Sequence, residues 1–423
     1  MNITAKLHKA ELKPPVVVVS PNTYQAGGKH VGGKYMPPNP NQIDWVTTGG
    51  LVVDNTSTGD YLIQGQNLQF FGDTGTLDRM INFAASNNRL LFIDGCNLRA
   101  KDHIVYGSQG AARIRFRNTN IFRLPTAVTD EANMRVCDKD GLTWASFENC
   151  YLEGGGGFRV GGVANGYYRC TANRAVSLDG RRTNATKKPV QLQLFQVAGG
   201  SNLDMLSEWN DSYNHPDNSR VEDNQNFYHG TYASGLVRFN RVDGAYMNPR
   251  ALYDLNGDGY AGGGLINEGS DNLRIEDNFV VRCSNYGVAI AGGTNSALRR
   301  NRVVNGIHYR EGVNQGKIII DVGKALYSLG GSGNVVQDNK LASMYFPPAN
   351  KTKPEAQWAY QQRNDWDVDQ TKNTATGNTF LSAPNTYSTS NGGYFITKAD
   401  EDACLDAWEA LRASNNVLVG PKA

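Results

Sequence analysis

The residues best suited to chemistry crowd into one polar stretch, 202–232, of a chain of 423 residues. Among them are the acids Glu208, Asp211 and Asp217, the imidazoles His215 and His229, and the rings of Trp209, Tyr213, Tyr228 and Tyr232. Carbohydrate cleavage needs such a mixture, because rings stack on sugar faces while acids and bases move protons. Hydrolysis requires two carboxyl groups flanking the glycosidic bond, at about 5 Å for retention or about 6.5–9.5 Å for inversion. Glu208, Asp211 and Asp217 are the candidates for that role. β-Elimination from a uronic acid polymer requires a base beside a neutralised carboxylate, for which His215, Tyr228 and His229 are the candidates. Turn chemistry explains any one Asp or Asn in such a loop, so the set carries the expectation rather than a member.

A second locus reads Asp254-Leu255-Asn256-Gly257-Asp258-Gly259, the first half of a calcium loop with oxygen ligands at alternate positions. Its second half is missing, since Leu265 stands where the closing Glu belongs and only Glu268 lies nearby. Calcium is therefore the one candidate ion, on Asp254, Asn256 and Asp258, and no other cofactor is required. Without it, Asp254, Asp258 and Glu268 form a second carboxylate set. Arg250 and Arg310 join Trp209, Tyr213, Tyr232 and Glu268 as substrate-contact candidates, because guanidinium groups grip acidic sugars with paired hydrogen bonds. Arg282, Arg299, Arg300 and Arg302 read more simply as solvent-facing charges along strand edges. No Gly-x-Ser-x-Gly elbow and no phosphate cradle is present.

The elements that must hold these residues are mostly short strands. Up to about residue 342 the apolar segments are four to seven residues long and bordered by Gly or Asn. An Asn followed by an aliphatic or aromatic position recurs at Asn149, Asn173, Asn240, Asn278, Asn301, Asn339 and Asn378. The spacing is about 23–24 residues in two places and about 38 in two others, a basic unit with insertions. One unit fits one coil of a parallel β-helix, with Asn at the bend, where it tolerates the left-handed conformation and bonds to the amide stacked above. Turns of a β-sandwich are the competing explanation. Two helices are expected: one from Thr76 through Ala85, with Leu77, Met80, Ile81, Ala84 and Ala85 on one face, and one over 398–414, with Leu405, Trp408 and Leu411. The second would cover the solenoid's open end or contact a neighbouring subunit.

Composition narrows the class. Gly at 47 residues and Tyr at 20, with 39% of the chain hydrophobic, suit strands and tight turns. A net charge of +2 gives no electrostatic argument for nucleic acid or an anionic membrane. The six cysteines form no metal-type spacing and read as reduced. No apolar stretch approaches bilayer length, and the polar start at Met1 to Leu12 lacks the pattern of a secretory signal. The expectation is a component of a virion, or a secreted enzyme exported without such a signal.

Gly72-Asp73, Thr76, Asp78, the expected helix and Leu90-Leu91-Phe92-Ile93-Asp94-Gly95 together resemble the opening of the pectate-lyase-like superfamily, in particular its bacteriophage tailspike depolymerases. Leu77 stands where that family often has a second acid, and Asn97 where an aromatic often follows the Gly. The resemblance covers about residues 60–342. It implies a right-handed parallel β-helix with a short N-terminal capping helix and a C-terminal extension, assembled as a homotrimer on a virion tail. It also implies action on a bacterial capsular or exopolysaccharide. The expected organisation is an arm at 1–60, a β-helix at 61–342 and a capping or oligomerisation segment at 343–423. Lyase, hydrolase and uronan epimerase chemistry all remain open, with elimination favoured, as does a glycan-binding adhesin that cuts nothing.

Overall fold

Alternating apolar residues stack coil upon coil in the computed structural model, which describes residues 16–17, 28–54, 59–72, 79–101, 103–108, 110–124, 135–178, 193–216, 219, 221–246, 262–306, 324–345, 362–363, 366–380, 396 and 398–422. Each coil holds three short strands, and strands of successive coils pair in parallel to line three long faces. Face 1 runs from Leu51–Val53 to Trp366–Val368, face 2 from Val16–Val17, paired with Tyr61–Gln64, to Thr374–Thr376, and face 3 from Val46–Thr47 to Thr379–Phe380. The stack thus includes strands on both sides of 61–342. Faces 1 and 2 share one 21-stranded sheet because Arg135–Glu148 and Gly156–Thr171 run unbroken through both. The architecture is a parallel β-helix.

Period-two alternation sends one side of each strand into a common lumen. On face 2, Ile275, Leu298 and Val336 fall in register on successive coils, and all three are wholly buried. Lower in the lumen Phe116 and Phe147 of face 2 meet Phe158 and Phe195 of face 1, with ring centroids 3.8 Å apart for Phe147 and Phe158. Burial of each such side chain stabilises the fold by about 1.5–3 kcal/mol.

The turn from face 2 to face 3 is always two residues, and the two have separate tasks. The first takes positive φ in every coil: Gly65, Gly95, Asn118, Asn149, Ala172, Trp209, Phe239, Asp277, Arg300, Asp338 and Gly377. The second carries the ladder. From Asn173 upward each amide donates to the next Oδ1, through Asn210, Asn240, Asn278, Asn301, Asn339 and Asn378, at 2.8–3.0 Å. The expectation that the same Asn both bends and stacks is therefore corrected: the left-handed residue precedes the ladder residue. Asn149 is a bend residue, and Cys150 holds its ladder position. A non-glycine residue with positive φ is strained, which the surrounding pairing offsets.

The helix expected over 76–85 is also corrected. Arg79–Phe83 is a strand of face 1, paired with Leu51–Val53 and His103–Gly107, while 76–78 lie outside the described residues. Ile81, Phe83 and Ala85 alternate as a strand requires, and Phe83, which the helical stripe omitted, is wholly buried.

The C-terminal helix forms as expected, α1 at Lys398–Ser414, but it lies along face 3 rather than over an end. It packs on Arg241–Ala245, Phe279–Cys283 and Arg302–Asn305. Leu405 and Cys404 meet Val281, Val304 and Ala342, and Trp408 meets Trp209 and Phe239. Beneath it, Arg282 is wholly buried and pairs with Asp243 at 2.8 Å, Glu401 at 3.2 Å and Asp402 at 2.6 Å. The reading of Arg282 as a solvent-facing charge is corrected by those partners. Lower on face 3, Tyr35 and Ile43 cover Phe122 and Tyr151. Face 3 is thereby closed over much of its length, whereas among the described residues no helix packs on face 1 or face 2.

Candidate functional site

Strand position separates the residues of the polar stretch. Glu208 ends a face 2 strand and is paired with Arg238 at 2.9 Å, in a column where Asp94 pairs likewise with Arg117. Asp211 and Tyr213 lie on face 3, and Asp211 is buried between Arg174 at 3.3 Å and Arg241 at 3.4 Å. Trp209 is 8% exposed and stacked on Phe239, and Tyr232 is 2% exposed in the lumen. Neither ring is open to a sugar, which corrects their reading as stacking surfaces: both occur where the coil needs apolar bulk. His215 follows face 3 with its amide bonded to Ser177, and its ring lies edge-on to Tyr213 at 6.4 Å. Asp217, Arg250, Arg310 and the calcium-type residues Asp254, Asn256 and Asp258 lie outside the described residues. No group of three His, Cys, Asp or Glu side chains able to hold a metal ion occurs among the described residues.

Three of the expected residues do meet, on face 1. Tyr228 and Glu268 are register neighbours at the ends of Asp223–Tyr228 and Gly263–Glu268, and the amide of His229 donates to the Glu268 carbonyl at 3.1 Å. The Tyr228 and His229 rings stand edge-to-face at 4.2 Å, both exposed. Connections from face 3 into this face are the long ones, spanning for example from Ala245 to Gly263 and from Asn305 to Lys324.

At its centre is Asp223, a residue that pattern reading passed over. Its strand is unusual, because Asp223, Asn224, Gln225 and Asn226 are all buried and polar; most of their side-chain groups are hydrogen-bonded, while Gln225 Nε2 is buried without a partner. Asn226 Nδ2 donates one hydrogen to Asp223 Oδ2 at 2.7 Å and the other to Glu268 Oε2 at 2.8 Å. The two carboxylate oxygens are thus no farther apart than the sum of those bonds. Tyr286 donates its hydroxyl to the other oxygen, Asp223 Oδ1. Burial, with Glu222 and Glu268 nearby, pushes the Asp223 carboxyl up to about 7 against the pull of the Tyr286 and Asn226 donors.

The network continues along face 1. Gln196 donates to Asn226 at 3.4 Å, and Gln193 donates to Glu222 at 2.5 Å and accepts from Arg135 at 3.1 Å. Arg135 and Arg159 then share Asp138, at 3.3 and 2.5 Å, with Arg159 reaching Asp140 at 3.1 Å. A run of polar side chains along several coils, with an acid pair of unequal proton affinity, is suited to proton transfer on a long substrate. In the sequence Asp223-Asn224-Gln225-Asn226 reads as a polar loop, and only the burial supplied by coil stacking marks it out.

Comparison with protein-family models, curated proteins and solved structures found no match.

Proposed function

We propose that the protein is a polysaccharide depolymerase that hydrolyses a glycosidic bond on face 1, with Asp223 as the acid and Glu268 as its carboxylate partner. The observation that carries this reading is the single Asn226 amide bonded to both carboxyl groups. It holds their nearest oxygens within the roughly 5–5.5 Å typical of retaining pairs, short of the wider inverting gap. Asp223, protonated up to about pH 7, donates its proton to the leaving oxygen. Glu268 attacks the anomeric carbon and forms a glycosyl ester. Water then cleaves that ester, and Asp223 takes back a proton, restoring both groups. Tyr228 and His229 on the exposed rim offer a ring and an imidazole to the sugar.

A tailspike-type role on a bacterial surface polysaccharide, with the chain as a homotrimer, fits this reading. The support is the parallel β-helix and the strand Leu90–Asp94 followed by Gly95 near its start. A second reading, β-elimination, is favoured by the exposed Tyr228 and His229 pair, either of which has the chemistry of a base. Mass analysis of products from a panel of capsular polysaccharides separates the two. Hydrolysis adds one water per cut, whereas elimination leaves an unsaturated, ultraviolet-absorbing uronate. Asp223→Asn and Glu268→Gln should each lower the rate at least about a hundredfold, while Glu208→Gln, on face 2, should leave it within about twofold. Full activity in both face 1 variants would sink the assignment.

A further inference from the structure

We propose that Tyr286 is a positioning residue for this reaction, its hydroxyl fixing the Asp223 carboxyl and setting the pH at which that group releases its proton. The inference rests on the reading of Asp223 as the acid. Asp223, Gly263 and Tyr286 are register neighbours on three successive coils of face 1, so the tyrosine reaches its partner across the glycine. That crossing explains why position 263 has no side chain. A Cβ there would lie 2.3 Å from the Tyr286 hydroxyl oxygen and 2.6 Å from Asp223 Oδ1, inside any tolerable contact. Tyr327 on the next coil braces the ring edge-on at 5.3 Å, and Ile266 and Ala289 complete an apolar collar around it.

The Tyr286 hydroxyl is directed at Asp223 Oδ1, so its effect on the reaction passes through that carboxyl. Burial, with Asp223 beside it, holds the phenol well above its ordinary range, which keeps it a donor. A donor to a carboxylate favours the ionised form, so this hydroxyl opposes the burial that keeps Asp223 protonated. Glu222 and Glu268 act in the same direction as burial, and Asn226 in the same direction as Tyr286. Loss of the hydroxyl leaves burial less opposed, and the proton is held to higher pH.

The test is the Asp223 carboxyl titration, followed by carbon NMR on the full chain, in wild type, Tyr286→Phe and Gly263→Ala. Tyr286→Phe should raise the midpoint by about one pH unit or more. The alkaline limb of the rate profile should move upward by the same amount, with KM little changed. Gly263→Ala, which displaces the ring instead of removing the hydroxyl, should shift both in the same direction. An unchanged Asp223 titration in both variants overturns the proposal. A shifted titration with an unmoved rate profile overturns Asp223 as the acid instead, so the two failures are distinguishable.

Discussion

At the scale of single residues, Asp223 links the site to stability. Its carboxyl keeps a proton to about pH 7 in the folded chain, against 3.8 for the ordinary group, so the folded state binds the extra proton between those values. Stability from this residue is fully present below about pH 4 and declines as pH rises to 7, by at most about 4 kcal/mol. Asp223→Asn should flatten that decline and leave the variant more stable than wild type at pH 8, as read from denaturant midpoints across pH. A parallel decline in wild type and variant would show that other groups dominate. Tyr228, His229 and Glu268, assigned to the proposed site, were already candidates in the sequence, because rings and acids beside Gly are visible locally. Asp223 was not, because its meaning depends on Tyr286, 63 residues away, and on Glu268, which only coil register brings near. Glu208 and Asp211 lie away from the proposed site for the same reason: one strand or one bend moves an acid to a different face.

Among elements, α1 is the one whose attachment depends on charge as much as on apolar contact. Arg282 has left-handed backbone and no exposure, and it holds Asp243 from face 3 against Glu401 and Asp402 from the helix. Removing one member of a buried ion network leaves its partners unpaired, which costs about 3–5 kcal/mol. Arg282→Ala should therefore release Lys398–Ser414 to hydrogen exchange and proteolysis while the lumen strands stay protected; equal protection of helix and strands would contradict this. The helix was legible because Leu405, Trp408 and Leu411 recur at helical spacing. Arg79–Phe83 was not, since its apolar residues satisfy both periods and only pairing on two sides decides between them. The repeat disclosed the coils, yet it hid the division between bend and ladder, because Asn suits either position.

Across the whole molecule, the ladder couples coils that share no sequence neighbourhood. Asn278 sits mid-ladder with its amide on Asn301 and its Oδ1 receiving Asn240, both at 3.0 Å, whereas Asn378 ends the series half-buried. Asn278→Ala should cost about 2–4 kcal/mol, since it takes the acceptor from the buried Asn240 donors and the donor from the buried Asn301 Oδ1, and Asn378→Ala only about 1 kcal/mol. Thermal unfolding of the two variants checks the contrast, and equal losses would mean that position along the stack is irrelevant. The final tail follows the bend column downward. Leu418 accepts from Asn149 at 2.9 Å, Gly420 bonds to Ala172 at 2.8 Å, Lys422 bonds to Asn118 at 3.2 Å, and Pro421 meets His30 at 3.0 Å. These covering residues leave the ribosome after every coil they seal. During synthesis, the apolar bend residues Ala172, Trp209 and Phe239 therefore wait uncovered until the tail emerges. A nascent chain of this design cannot finish folding coil by coil from its N-terminus, and its dependence on chaperones should be greatest in the interval before residues 398–422 appear.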